Sequence, residues 1–363
     1  MAKKAYVGVG GVARKIKKGY IGIGGKARKI KKAYIGIGGV ARPCWSGGEI
    51  VYYGPIAALS PSREKSTPVS LNGNAIFGGG MASASQIYKT VQRYDNSLTI
   101  SAIADRPHSF YSAAANTIGN HVVFVGGHVS NTDSRGYIDS YDSNYTLTSL
   151  PEYPNWAGEI GSCHAGDYAL FGGGYRMDRE YYNSCIALSS TLTQSILSNL
   201  SYKGVSTGAD AGSIGVFVQN PSGGSTCNAQ SYNSSLTRSN AVSLTNHYDD
   251  ETERKYGIVS FRGYCVVAGG AAGYNKSNAI TRFDSSFTKT SGGTLSQAGA
   301  CAGFVLGDYA VFTQEGSTDI FDASFTKIIG QEVPNNFFTP TWGCTENYAI
   351  GQDLDACYAY TNN

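Results

Sequence analysis

The chain has 363 residues, 47 of them glycine, and only 15% of the residues are charged. This composition favours many short strands joined by tight turns over helices, so an all-β fold is expected. No stretch approaches the roughly 20 consecutive apolar residues of a membrane span, which excludes membrane insertion at the level of sequence.

The net charge of +3 is unevenly distributed along the chain. Residues 1–48 contain 12 Lys and Arg residues and no acid, which leaves 17 basic against 26 acidic residues in the remainder. The sequence therefore predicts a basic arm over residues 1–48 and an acidic body over residues 49–363. Eight scattered cysteines without metal-ligand spacing favour buried free thiols over disulfides, in keeping with a reducing compartment.

The arm consists of three near-copies of one 14-residue unit, Lys3 to Ile16, Lys17 to Ile30 and Lys31 to Cys44. Each Gly-Gly pair lies between alternating β-branched segments and predicts a two-residue hairpin turn, with a twelve-residue strand such as 12–23 between turns. The glycines are not followed by a helix, which argues against a nucleotide loop, and nucleic-acid binding is disfavoured because aromatic residues are sparse. Such a meander has no second layer, so it needs an acidic or β-edge partner, or copies of itself.

Tandem units reading KKAYIGIGGVAR resemble the N-terminal segments of tail and other virion-associated structural proteins of phages and prophages of Firmicutes. This resemblance implies that the arm docks on other virion proteins of a tail, baseplate or capsid. The candidate docking residues are Tyr6, Arg14, Lys17, Lys18, Tyr20, Arg28, Lys31, Lys32, Tyr34 and Arg42.

From residue 50 onward a unit of roughly 45 residues recurs. Each copy contains an apolar strand ending in glycines, as in NAIFGGG at 74–80, and later an aromatic, a polar turn and a threonine, as in RYDNSLT at 93–99. Two further strand-like segments complete each unit, and four antiparallel strands in this length predict a blade of a β-propeller. Seven units fit the chain, with the segment 49–59 supplying the fourth strand of the last blade. The glycine pair followed by Tyr-Asp resembles the Kelch repeat, although the Trp of that repeat is replaced here.

The loops that enter each blade are rich in aromatic residues, which are favoured at recognition surfaces. We expect about half of them to fill gaps between blades. The candidate binding residues in these loops and in one loop between the second and third strands are Phe110, Tyr111, Trp156, Tyr175, Arg176, Arg179, Tyr181, Tyr182, Tyr202, Tyr248, Phe337, Phe338 and Trp342.

Convergent catalytic groups are not evident in the sequence. The five histidines lack paired spacing, and the acidic residues Asp249, Asp250, Glu251 and Glu253, which could serve a glycosidase, share one hydrophilic loop. No catalytic residue, metal site or cofactor is expected, and the chain is predicted not to be an enzyme. The favoured function is a virion structural protein whose propeller binds a host receptor or glycan, with homo-oligomers possible. The alternatives are a glycan-active propeller enzyme and an intracellular Kelch-like adaptor.

Overall fold

The computed structural model describes residues 6–9, 12–15, 19–23, 26–30, 32–37, 40–46, 50–221, 226–248, 256–314, 316–329, 341–353 and 356–362. Within these ranges every regular element is a β-strand. No helix there is long and apolar enough to cross a membrane.

The arm contains three separate two-stranded hairpins. Their strands are β1 (Tyr6–Val9), β2 (Val12–Lys15), β3 (Gly19–Ile23), β4 (Lys26–Ile30), β5 (Lys32–Ile37) and β6 (Val40–Ser46). The strands of each hairpin pair across a Gly-Gly position, as in Val9 with Val12, which agrees with the expected two-residue connections. A continuous strand over 12–23 was expected; residues 16–18 within it lie outside the described residues, and β2 and β3 on either side of them belong to different sheets. The docking candidates Lys17, Lys18 and Lys31 lie outside the described residues, and the side chains of the other seven are not described.

The rest of the chain forms seven four-stranded antiparallel sheets, numbered here as blades 1 to 7. A lone strand precedes them, β7 (Ile50–Ile56). Blades 1 to 3 contain β8 (Thr67–Leu71), β9 (Asn74–Gly78), β10 (Met81–Ser83), β11 (Gln86–Ile87), β12 (Val91–Tyr94), β13 (Ile100–Ala102), β14 (Ala114–Ile118), β15 (His121–Val125), β16 (Ile138–Tyr141), β17 (Leu147–Leu150), β18 (Gly161–Ala165), β19 (Tyr168–Gly172), β20 (Tyr175–Arg176), β21 (Glu180–Tyr181), β22 (Cys185–Leu188) and β23 (Gln194–Ile196).

Blades 4 to 7 contain β24 (Gly204–Ala211), β25 (Ile214–Pro221), β26 (Thr226–Tyr232), β27 (Val242–Tyr248), β28 (Gly257–Phe261), β29 (Tyr264–Ala268), β30 (Ala271–Ala272), β31 (Asn275–Lys276), β32 (Ala279–Phe283), β33 (Lys289–Thr294), β34 (Ala302–Leu306), β35 (Tyr309–Gln314), β36 (Ser317–Phe321), β37 (Lys327–Ile329), β38 (Thr341–Cys344), β39 (Tyr348–Asp353) and β40 (Ala356–Asn362). The four strands of each blade are called A to D from the axis outward. The pairs β10–β11, β20–β21 and β30–β31 are small extra hairpins between strands B and C of blades 1, 3 and 5.

The ring closes by joining the two ends of the propeller sequence. β7 pairs antiparallel with β40 and becomes strand D of blade 7, with Ile56 opposite Cys357 and Ile50 opposite Asn362. The prediction of three C-terminal strands plus one N-terminal strand is confirmed. This arrangement covers sheet edges that would otherwise be open to pairing with other chains.

The hydrophobic core is divided among the spaces between neighbouring blades. One cluster joins Ile76 and Val91 of blade 1 to Val122 and Phe124 of blade 2, and similar clusters join the following pairs. Seven cysteines are described, all as free thiols, and Cys344 alone among them is not fully buried.

The turn between strands C and D has a repeated design. In blade 1 the Asp95 carboxylate accepts hydrogen bonds from the backbone N–H groups of Ser97 (2.7 Å) and Thr99 (3.0 Å). Leu98 between them has φ 61°, a left-handed conformation that side chains other than glycine avoid at a cost of roughly 1–2 kcal/mol. Its side chain packs on the apolar cluster between blades 7 and 1, which offsets that cost. The same left-handed apolar residue recurs at Tyr145, Leu192, Leu236, Phe287 and Phe325, so the predicted hairpin is confirmed.

The glycines that end strand B connect each blade to the next one. The N–H of Gly80 donates to the carbonyl oxygen of Phe110 (2.7 Å), and the N–H of Gly127 donates to that of Ala157 (2.9 Å). A Cβ atom on Gly79 would lie 2.3 Å from the Phe110 oxygen, so no larger residue fits between the blades. The tyrosine that ends strand C forms a hydrogen bond toward the preceding blade. In blade 2 the Tyr141 hydroxyl donates to Ala104 O (2.7 Å), in the connection from blade 1.

Around the central axis, strand A of each blade has one edge without a neighbouring strand. Side chains of the next blade satisfy these backbone groups. The Thr117 hydroxyl donates to Ser70 O (2.7 Å), the Ser70 hydroxyl donates to Cys344 O (2.6 Å), and the Ser260 hydroxyl accepts from the N–H of Asp210 (2.6 Å). Together with His164 and Asp210 they form a polar belt at one level of the seven A strands. At the matching position of blade 6, Val305 brings no polar group.

We expect Thr117→Val to destabilise the propeller by about 1 kcal/mol, because the Ser70 carbonyl loses its donor while the side-chain shape is kept. The reverse change, Val305→Thr, supplies a donor where the belt lacks one and is expected to stabilise the protein by a similar amount. Urea unfolding of both variants beside the wild type measures the two effects. Equal unfolding midpoints for all three proteins would show that the belt does not contribute to stability.

Candidate functional site

The antiparallel order of the strands gives the propeller two different faces. The connections from strand D to the next strand A and those from B to C emerge on one face, called the B–C face. β-Bridges between Tyr111 and His128 and between Gly158 and Tyr175 join these two kinds of connection. The A–B and C–D turns emerge on the other face, called the A–B face, where Gly119 lies against Ser190 of the next blade.

A buried aromatic stack lies under the B–C face between blades 2 and 3. The rings of Tyr111 and His128 are 5.1 Å apart, His128 and Tyr175 are 6.0 Å apart, and Tyr175 and Tyr181 are 5.0 Å apart. His128 Nδ1 lies 2.7 Å from the buried Ser134 hydroxyl. A Cβ on Gly158 would lie 2.5 Å from His128 Nε2, so this glycine lets the chain pass directly over the ring.

Burial of the hydroxyl, with further contributions from Glu159 and Tyr175, raises the pKa of Tyr111 to about 12. The phenol therefore stays neutral near pH 7, and its hydroxyl lies 3.9 Å from the Met177 sulfur. These rings form a closely packed cluster, because three of them are less than a tenth exposed.

Two residues before Gly158, Trp156 is 44% exposed and lies close to two arginines. The Arg135 guanidinium carbon lies 4.3 Å from the Trp156 ring centre and that of Arg176 lies 5.7 Å away, both within cation–π range. Each arginine also pairs with carboxylates, Arg135 with Asp133 (2.5 Å) and Arg176 with Asp178 (3.1 Å) and Glu180 (3.6 Å). The patch thus offers an aromatic ring among paired charges.

The structure brings together six of the binding residues that the sequence indicates, all around blades 2 and 3. They are Tyr111, Trp156, Tyr175, Arg176, Tyr181 and Tyr182, the last of which donates to Glu180 (2.6 Å). Arg179 lies at the tip of the β20–β21 hairpin with φ 70°. Tyr202 and Tyr248 lie on the same face at the two connections that follow along the chain.

Two candidates do not contribute to this patch, and two more are not described. Phe110 is 2% exposed and packs on Phe124 in the core between blades 1 and 2, so its assignment to a binding surface was wrong. Trp342 is on strand A of blade 7 and packs against Phe304, with ring centres 4.4 Å apart, because an inner strand faces the neighbouring blade. Phe337 and Phe338 lie outside the described residues.

Sequence reasoning missed Arg135, Met177 and Tyr274. Tyr274 is fully exposed at the turn of the β30–β31 hairpin of blade 5. Its segment follows a Gly-Gly pair as Tyr175 does, so comparison of the loops that follow strand B could have found it.

On the A–B face, His164 of strand A in blade 3 connects three blades. Its Nδ1 lies 3.2 Å from the Asp210 carboxylate and its Nε2 lies 2.5 Å from the Thr117 carbonyl oxygen. Both partners are acceptors, so the ring donates to both of them when it is doubly protonated, as an imidazolium. His164 also lines an open cleft of about 500 Å³ with Thr117, Asp167 and Ser190. In the described part of the chain, no group of three or more His, Cys, Asp or Glu residues is placed to hold a metal ion.

Burial lowers the pKa of His164, but the hydrogen bond and charge of Asp210 and the Thr117 carbonyl outweigh it, so the pKa is raised above 6.5. A raised pKa in the folded state gives stability that is fully present below the pKa of the unfolded state and is lost as pH rises through the pKa of the folded state.

We therefore expect His164→Gln to lower the melting temperature more at about pH 6 than at about pH 9. Thermal unfolding at both pH values, with exposed His108→Gln as control, measures this difference. A loss that is the same at both pH values would contradict the assignment of an imidazolium.

Many solved structures share this architecture. A streptogramin B lyase has 11% sequence identity and a TM-score of 0.59, covering 87% of this chain and 98% of its own. Virginiamycin B lyase from Staphylococcus aureus, solved with quinupristin as a catalytically inactive histidine-to-alanine variant, has 11% identity and a TM-score of 0.60, covering 87% and 100%. YjhT has 12% identity and a TM-score of 0.52, covering 85% and 99%. The propeller fold is what they share.

No family model matches the chain, and no curated protein matches it. The resemblances to Kelch repeats and to virion-associated proteins therefore stay predictions. The prediction that the chain is not an enzyme is contradicted, because structures similar to this chain include two lyases and this fold therefore supports catalysis. The lack of a recognisable catalytic motif does not exclude a reaction on a propeller.

Proposed function

We propose that this chain is a recognition protein of a phage or phage-like particle. In this proposal the propeller binds a glycan on the host surface through the B–C face, and the basic arm attaches it to other virion proteins. The arm's resemblance to virion-associated proteins supports the attachment, since its three repeats hold 12 basic residues and no acid before residue 49.

The observation that carries this proposal is that the chain enters the propeller on the face opposite the Trp156 patch. Ile50, where the propeller begins after the arm, pairs with Asn362 at the end of strand C in blade 7. Asn362 in turn lies against Gly307, in the A–B turn of blade 6. The chain thus enters the propeller at the A–B face, while Trp156 and its arginines occupy the B–C face. A body held from the first face presents the second face outward.

The chemistry of the patch suits a sugar. A pyranose ring has apolar C–H faces and a rim of hydroxyl groups that both donate and accept. Trp156 offers an apolar ring, while Arg135, Arg176 and their carboxylate partners offer donors and acceptors beside it. The contacts of the Trp156 ring with Arg135 and Arg176 hold the ring in place, which lowers the cost of ordering the site upon binding.

Two variants test the two halves of the proposal. Trp156→Ala is expected to weaken binding to a host cell-wall polysaccharide array by at least about tenfold, as expected for loss of an aromatic anchor. Deletion of residues 1–44 is expected to leave that binding unchanged and to abolish co-purification with virions.

Tyr53→Ala is the matched control, because Tyr53 is an exposed aromatic (55%) on the outer strand of blade 7, away from the patch. Retained array binding by Trp156→Ala would refute the recognition site. Normal incorporation of the shortened chain into particles would refute the role of the arm.

A second candidate function is a lyase-type reaction on a bound cyclic or polymeric ligand, favoured by the likeness to the two lyases and by the His164–Asp210 pair in the A–B cleft. If this function holds, the wild-type protein is expected to convert quinupristin into a ring-opened isomer of the same mass, with a new chromatographic retention time and fragmentation pattern, or to split array-positive polysaccharides into shorter chains. Unchanged substrates after long incubation at pH 6 to 8, where imidazole chemistry operates, would refute it.

A further inference from the structure

The exposed aromatic residues of the propeller are concentrated on one side of it. Among the described side chains, the large aromatics with high exposure are Tyr53 (55%), Trp156 (44%), Tyr202 (39%) and Tyr274 (106%). Trp156 lies between blades 2 and 3, Tyr202 lies between blades 3 and 4, and Tyr274 lies on the B–C hairpin of blade 5. Three of the four therefore follow one another around the B–C face.

Local hydrogen bonds fix the backbone beside Trp156 and at Tyr202. The Ala157 carbonyl beside Trp156 accepts from the N–H of Gly127, and the Tyr202 carbonyl accepts from the buried Gln219 amide (2.7 Å). Half-buried Tyr248 continues the series between blades 4 and 5, where a Cβ on Gly270 would lie 2.3 Å from its carbonyl oxygen. We call Trp156, Tyr202, Tyr248 and Tyr274 the aromatic arc.

This arrangement differs from a protein-binding surface. Stable protein interfaces have a contiguous, desolvated apolar centre of packed anchors within about 800 Å² on each partner. The aromatic arc instead offers about one ring per blade, separated by polar connections. A ligand that contacts all of its members must itself be extended and must repeat an apolar face.

We propose that the aromatic arc binds a linear, uncharged polysaccharide whose successive sugars stack on rings from blades 3, 4 and 5. This inference rests on the proposed glycan recognition by the B–C face and adds the form and charge of the ligand. The neutral character is argued from the charges around Trp156, where the three carboxylates of Asp133, Asp178 and Glu180 balance the three arginines Arg135, Arg176 and Arg179.

Binding of one polymer to several rings makes affinity depend on length. Once one ring holds a sugar, the next contact is intramolecular, so each additional ring raises the affinity without new partners. Short fragments engage one ring at a time and gain nothing from the others.

The test uses an oligosaccharide ladder, made by partial hydrolysis of the neutral polysaccharide that binds best in the array, and titration calorimetry with the full chain. Affinity is expected to rise by about 10²-fold from disaccharides to fragments long enough to span the arc, and to change little with ionic strength. Tyr274→Ala and Tyr202→Ala are each expected to weaken the longest fragments about tenfold while leaving disaccharide binding at Trp156 unchanged. The control Tyr53→Ala is expected to behave as the wild type at every length.

The outcomes separate the two proposals. An affinity that is independent of oligosaccharide length, or one that falls strongly with added salt, would overturn the proposal of a linear neutral polymer. Glycan recognition at Trp156 would still stand. Failure of every polysaccharide to bind would refute the glycan recognition itself. Capture of a host protein that Tyr274→Ala and Tyr202→Ala both release would assign the arc to a protein partner and overturn the inference.

Discussion

The structure depends on how seven inner strands meet around one axis. Each strand A has an edge with no neighbouring strand, and unsatisfied backbone groups at such an edge cost stability and invite pairing with other chains. The polar belt resolves this problem in one direction around the ring, since Thr117, Ser70 and His164 each donate to the backbone of the preceding blade. Small and polar residues on these strands therefore serve two purposes. They fit the crowded space at the axis, and they form hydrogen bonds with the unpaired backbone groups of strand A.

The other hydrogen bonds between blades allow the loops on the two faces to have different sequences. Glycine N–H groups at the end of strand B and tyrosine hydroxyls at the end of strand C both bond to the connections between blades. These backbone contacts do not depend on the side chains that point away from the ring, so the loops can vary. The A–B face keeps tight turns, whereas the B–C face carries the hairpins and the exposed aromatics. The same division accounts for a fold shared with lyases at 11% identity.

The candidate site was partly accessible from the sequence. Aromatic residues in the connections marked the right loops, and Trp156, Arg176 and Tyr202 lie on one face. The sequence did not show that Phe110 and Tyr111 are both buried, since adjacent residues in an irregular connection do not follow a period of two; Phe110 packs on Phe124 and Tyr111 on His128. Arg135 and Tyr274 were missed because their roles come from neighbours distant along the chain or from exposure at a hairpin tip.

The sequence by itself determined the number of blades, the strand order and the closure by residues 49–59, because a repeated unit must stack on its own copies to bury its apolar faces. It also determined the C–D turns, whose Asp or Asn side chains act on the next few residues of the same segment. Tertiary structure alone decided which aromatics are core and which are exposed, how the polar belt runs, and that the chain enters the propeller on the face opposite Trp156. These properties depend on contacts between residues far apart in the chain, 14 positions for Phe110 with Phe124 and 47 for Ser70 with Thr117, and no local pattern encodes them.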